Sequence, residues 1–162
     1  MLNNKKIFDC IPFYQSNLLF ELRVKTLDHL VDKFIVCEAT KTHAGEKKEL
    51  CFDLKKFQKI TNKIVYIIVD DMPDKATLKG EKYPLYNYQI NALSKGIVDA
   101  GNKDLILVSD EDEIPNPESI NNFDFIKNKY GIFMQKVFYY KLNIQNKSEA
   151  GGNRWPGSRI CF

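Results

Sequence analysis

The 162-residue sequence predicts an α/β fold, with a mostly parallel sheet and helices on both faces. Three observations lead there. Apolar periodicity switches repeatedly between strand-like and helix-like segments. Two segments, residues 64–69 (IVYIIV) and 105–108 (LILV), are apolar without alternation, as in strands covered on both faces. Each of these runs directly into acidic residues, as does the segment at 33–37.

In chain order, residues 6–9 form a short apolar strand that ends before a turn at Pro12. Ser16 is placed to cap a helix in which Leu18, Leu19, Leu22, Leu27 and Leu30 share one face. Residues 33–37 (KFIVC) are rich in β-branched and aromatic side chains and end at Glu38; residues 39–49, with Gly45, read as a loop. The strand at 64–69 leads into Asp70, Asp71 and Pro73. Leu85, Tyr88, Gln89, Ala92, Leu93 and Gly96 then keep helical spacing to about Val98. The strand at 105–108 opens into SDEDEIP. Pro117 suits the first turn of a short helix through Ile126, and residues 131–142 read as a long last strand. The order β-α-β-β-α-β-α-β fits one domain spanning 1–162.

Composition narrows the function classes. A net charge of +3 is too small to argue for nucleic acid. Charge is distributed unevenly: residues 41–63 carry seven lysines against three acids, whereas 109–124 carry six acids and no base. Such a carboxylate cluster needs solvent or a cation to offset its self-repulsion. The cysteines Cys10, Cys37, Cys51 and Cys161 have no CxxC spacing, and three of them are expected as small buried hydrophobes. No apolar run approaches the roughly 18 residues of a membrane span, so a reduced, cytoplasmic protein is the expectation. Whether it forms a homo-oligomer is left open.

In open parallel sheets, ligands bind beyond the carboxyl ends of the strands. Glu38, Asp70 with Asp71, and Asp110 through Glu113 would all face one rim. Asp110 and Asp112, two apart on an extended segment, would point the same way and offer hard oxygen to Mn2+ or Mg2+. Glu113 adds a third donor or a supporting acceptor, and Pro115 and Pro117 stiffen the exit. Plainer readings stand beside these. Asp70 and Asp71 also suit a turn before Pro73; His29, His43 and the lysines 47, 48, 55, 56 and 59 suit ordinary solvated positions. Tyr139, Tyr140 and Trp155 suit either a core or a surface that stacks on sugar.

The segments FDCIPFYQSNLLFELR, HLVDKFIVCEATKTHAGEKKELCF, VDDMP and above all LVSDEDEIPNP resemble glycosyltransferase family 17, over residues 7 to about 157. That family includes β-1,4-mannosyl-glycoprotein β-1,4-N-acetylglucosaminyltransferases. The resemblance implies a GT-A (Rossmann-like) fold and a metal-dependent, inverting transfer of a sugar, GlcNAc by analogy, from a UDP-sugar to a glycan hydroxyl. The cofactor it implies is Mn2+ or Mg2+.

Carried over by position, Asp110 and Asp112 match the family's metal-binding DxD, and Glu113 its following acid. Phe8, Asp9, Pro12, Arg23 and Glu38 match positions on the donor side, and Glu21 pairs with Arg23 in the same pattern. Trp155 and Gly157 match a segment on the acceptor side. Two departures matter. Ile90 stands where an arginine is expected, and family members continue beyond Phe162, in the region where a catalytic base is expected. The base is therefore unassigned, with Glu149 the last acid in the chain. A truncated enzyme and a non-catalytic module that binds UDP-sugar or glycan both stay open; a metal-dependent phosphoesterase is a third reading.

Overall fold

The computed structural model describes residues 5–74, 77, 78, 80, 82–138, 144, 145 and 154–162. Six strands form one sheet in the order β3-β2-β1-β4-β6-β5. They are β1 (Ile7–Phe13), β2 (Lys33–Ala39), β3 (Ile64–Val69), β4 (Leu105–Val108), β5 (Tyr130–Gln135) and β6 (Trp155–Cys161). The first four are mutually parallel. β6 runs antiparallel to both β4 and β5. The helices are α1 (Asn17–Leu27), α2 (Pro84–Ala92) and α3 (Pro117–Asn121), with 3-10 segments at Leu54–Lys63 and Leu93–Gly96.

The sheet is covered on both faces, as the sequence predicts. Along β1, Ile7, Ile11 and Phe13 join Phe20 and Leu27 of α1, Phe57 and Ile120 in one apolar layer. Phe8 and Cys10 point the other way, to Leu85 and Ala92 of α2 and to Leu93. This alternation follows from the two-residue period of a strand. On the α1 face, Phe13, Phe20, Phe52 and Phe57 pack largely edge to face, with Phe20 and Phe57 centroids 4.8 Å apart. At Gly96 a Cβ would lie 2.3 Å from Ile35 Cγ2, so the end of the α2 region reaches the sheet only because that residue has no side chain.

Several expectations are corrected. The buried face of α1 is Phe20, Arg23 and Leu27, while Leu18 and Leu22 are exposed. β3 is an outer strand and half-exposed along most of its length; its unbroken apolar run does not mean cover on both sides. The strand expected over 131–142 spans Tyr130–Gln135, and residues 139–142 lie outside the described residues. The segment around Trp155, beyond the last strand expected from the sequence, is β6 and separates β5 from β4. Pro156 is tolerated there because β4 pairs only with Arg159, Ile160 and Cys161, leaving β6 unpaired on that side at Pro156. Of the cysteines, two rather than three are buried, Cys10 and Cys37.

Candidate active site at the carboxyl rim

Parallel pairing brings the carboxyl ends of β1 to β4 to one rim. The acidic segment beyond β4 is a tight turn there, not a continuation of the strand: the Glu113 amide donates to the Asp110 carbonyl at 3.1 Å, and the Ile114 amide to the Asp112 carbonyl at 3.1 Å. The extended geometry expected to align Asp110 with Asp112 is thus replaced by a turn.

Arg23 holds this turn from beneath. Its side chain is fully buried, and all five of its N–H donors have partners. Nε and Nη2 grip both Asp9 oxygens at 2.7 Å, and Nη2 also reaches Ser109 Oγ. Nη1 donates to the carbonyls of Asp110 at 3.2 Å and Glu113 at 3.3 Å. The charge of one helical arginine is so balanced by a β1 carboxylate, while its spare donors fix the backbone that carries the acids.

Further ties reach the turn from other elements. Ser158 Oγ donates to the Glu113 carbonyl at 2.5 Å, and Gln135 Nε2 to the Ile114 carbonyl at 2.7 Å. Glu113 accepts from Trp155 Nε1 at 2.6 Å and from the Asp110 amide at 3.2 Å, so both its oxygens are engaged in holding the turn. Glu111 accepts from the Tyr14 amide at 3.2 Å, at the entry to α1. Burial, followed by the neighbouring Asp112 charge, raises the Glu111 pKa despite that bond. Glu111 thus ties the acidic turn to the segment that leads from β1 into α1.

The other two acids of the turn are less engaged. Asp110 is half-buried and accepts from Tyr86 Oη at 3.0 Å through Oδ1. Burial and then the Asp110 charge push the Tyr86 hydroxyl up to about 12, so it stays a donor at neutral pH. Asp112 is exposed, and among the described residues no hydrogen bond reaches its carboxylate. Nor does any group of three or more His, Cys, Asp or Glu side chains among them have the spacing of a metal cage. Two carboxylates suit a small hard cation that keeps sites for water and for substrate phosphate. Asp110 and Asp112 are the residues of the turn considered for that chemistry, and Trp155, which donates to Glu113, is 52% exposed.

The other residues singled out in the sequence lie deeper. Asp9, Pro12, Arg23 and Glu38 are buried, so they support the rim from below, and direct contact with a donor would require them to become exposed; Phe8, also buried, lies at the amino end of β1 and lines the depression at the opposite end of the sheet, so the expectation that it holds the donor is corrected. Glu38 Oε1 accepts from Lys48 Nζ at 2.5 Å and the Cys51 amide at 2.7 Å; Oε2 accepts from Tyr66 Oη at 2.7 Å and the Phe52 amide at 3.0 Å. Burial alone would raise its pKa, but these four donors together hold it below the ordinary value. Asp70 and Asp71 are exposed at the end of β3, and Glu21 is paired on the surface with Lys25. Tyr139, Tyr140 and Glu149 lie outside the described residues.

Two side chains were not read from the sequence as part of the site: Tyr86 and Gln89. Tyr86 and Gln89 lie three apart on α2, a spacing that puts them on neighbouring lines of one helix face, but nothing local says that the face meets Asp110. A small depression of about 170 Å³, lined by His43, Lys82, Tyr83, Pro84 and Tyr86, opens on this side. A larger one of about 370 Å³ lies at the opposite end of the sheet, among Lys6, Lys33, Lys63 and Asp99, away from the acidic turn.

Comparison with known proteins bears on the family. The model of glycosyltransferase family 17 matches residues 1–148. No curated protein matches the sequence. Among solved structures, glucosyl-3-phosphoglycerate synthase from Mycobacterium tuberculosis, crystallised with Mn2+, UDP and phosphoglyceric acid, is 14% identical; the alignment covers 99% of this chain and 57% of that one, with a TM-score of 0.46. 4-Diphosphocytidyl-2C-methyl-D-erythritol synthase is also 14% identical, over 96% of this chain and 75% of that one, with a TM-score of 0.44. The chain thus spans little more than half the length of the first of these structures. Among the described residues, no helix is long and apolar enough to cross a membrane.

Proposed function

The chain belongs to glycosyltransferase family 17, and we propose that its acidic turn binds the diphosphate of a UDP-sugar through a divalent cation, Mn2+ or Mg2+, for transfer of the sugar to a glycan hydroxyl. The observation that carries this reading is the turn itself. Its backbone is fixed by Arg23, Ser158 and Gln135 while Asp112 is left exposed, with Asp110 half-buried beside it. A turn tied on its inner side and bare on its outer side is prepared to hold a ligand without first having to order itself.

Asp110 and Asp112 would hold the cation, Asp110 with its orientation set by Tyr86 and Asp112 as the more accessible ligand. A bound divalent cation supplies charge neutralisation for the diphosphate as it leaves. Glu113 would keep Trp155 in place through the indole N–H, so that the half-exposed ring offers a flat apolar face to an acceptor sugar. Asp9, Arg23 and Glu38 would act from underneath, keeping the strand ends and the turn in register. GlcNAc as the transferred sugar, and inversion at its anomeric carbon, follow from the family resemblance. A base to take the proton of the acceptor hydroxyl is part of that scheme.

Calorimetry of UDP binding, with and without Mn2+, tests the reading. Wild type is expected to bind UDP at least tenfold more tightly with Mn2+, and Asp112→Ala is expected to lose that gain while keeping its melting temperature. Equal Mn2+ dependence in the two proteins would remove Asp112 from the role. Release of UDP from UDP-GlcNAc in the presence of glycan acceptors then separates a transferase from a module that only binds.

A further inference from the structure

Tyr86 is the one described side chain that donates to the carboxylate of Asp110. It sits on α2, which otherwise packs against the β1–β2 part of the sheet, so this contact links two separate regions of the rim. The position of Tyr86 is itself constrained. The His43 ring meets it edge to face, with centroids 5.4 Å apart and planes at 88°. His43 Nε2 lies 2.8 Å from Gln89 Oε1.

The chemistry of Gln89 settles which way that last bond runs. Gln89 Nε2 donates to the Cys37 carbonyl at 2.7 Å and to the Phe13 carbonyl at 3.3 Å, at the ends of β2 and β1. Both amide protons are used on backbone acceptors, so the side-chain carbonyl must accept from His43. His43 therefore carries a proton on Nε2. Gln89 is buried, and its orientation is set by two strand ends. A continuous path follows: strand ends fix Gln89, Gln89 fixes the His43 ring, and His43 and α2 together fix Tyr86 against Asp110.

We propose that Tyr86 is a positioning residue for the cation site, and that His43 and Gln89 form the brace that holds it. The inference rests on the reading that Asp110 and Asp112 bind a divalent cation. A carboxylate ligand with one oxygen pinned by a hydroxyl turns less freely and presents its other oxygen in a defined direction. Loss of such an outer partner weakens metal binding by about tenfold to a hundredfold in well-studied sites.

The test is Mn2+ binding followed by the electron paramagnetic resonance of the free ion, on the whole chain with UDP present. Tyr86→Phe keeps the ring and removes only the hydroxyl; it is expected to bind Mn2+ about tenfold more weakly, with an unchanged melting temperature and unchanged UDP affinity in the absence of Mn2+. His43→Ala, which removes the ring that packs against Tyr86, is expected to weaken Mn2+ binding in the same direction by a smaller factor. Mn2+ affinity in Tyr86→Phe equal to that of wild type overturns the proposal. So does a loss of UDP affinity without Mn2+, because Tyr86 would then touch the nucleotide itself. If wild type binds no Mn2+, the cation reading of the acidic turn fails first and this inference with it.

Discussion

Arg23 and Glu38 show how much of this rim depends on single buried charges. Each is enclosed, and each has several partners drawn from distant parts of the chain. Replacing Arg23 with Met would leave Asp9 charged and unpaired in the interior. The expected cost is about 3–5 kcal/mol, read as a lowered denaturant midpoint, together with weaker nucleotide binding as the acidic turn loses its inner support. Glu38 carries a pH signature. Its pKa is depressed below the ordinary 4.5 in the folded protein. An acid shifted down stabilises the fold above its unfolded pKa, and that contribution fades as pH falls from about 4.5 through the lower folded value. Glu38→Gln is therefore expected to be less stable than wild type by about 3 kcal/mol at pH 7, with the gap narrowing below pH 4.5 in chemical denaturation. A gap that does not change with pH would contradict this assignment.

Residue-level chemistry was only partly legible in the sequence. The acids at strand ends are visible because carboxylates after apolar runs stand out. Whether such an acid faces solvent or an internal cation is not visible: Glu38 and Asp112 look alike in one dimension, yet Glu38 is buried against Lys48 and Asp112 is exposed. The decisive partners, Arg23 for Asp9 and Tyr86 for Asp110, lie 14 and 24 positions away.

Among the elements, α2 was the most legible, since its buried positions Leu85, Gln89 and Ala92 keep helical spacing over a full nine residues. β6 was the least. Its sequence, WPGSRIC, includes Pro, Gly and Ser, residues that argue for a turn. Their presence has local causes. Gly157 lies where a Cβ would meet Gln135 Oε1 at 1.7 Å, and Gln135 Oε1 accepts from the Ser158 amide at 3.2 Å while its Nε2 ties β5 to Ile114. Strand pairing here is thus fitted around the acidic turn. Gly157→Ala is expected to displace the Gln135 side chain and lose both bonds, lowering stability by about 1–3 kcal/mol and speeding amide hydrogen exchange at Ser158, whose N–H donates to Gln135 Oε1. Exchange unchanged at Ser158 would show that the side chain moves aside without consequence.

For the whole molecule, the parallel order of β1 to β4 explains why residues as far apart as Pro12, Glu38 and Asp110 gather at one end. The α/β class followed from the alternation of periods and was the most secure reading, because it needs only local patterns. The placement of β6 between β4 and β5 needed long-range pairing, and no local pattern encodes it. Function follows the same division. The rim is dictated by topology, while the ligand proposed for it depends on a few side chains on the turn beyond β4. Paramagnetic broadening by Mn2+ in amide NMR spectra reads that ligand site most directly. With UDP present, signals from residues 110–113 and Tyr86 are expected to broaden first, and those at the opposite end of the sheet, around Lys33 and Asp99, to stay sharp. Broadening centred on Asp70 and Asp71, or none at all at the acidic turn, would contradict the account.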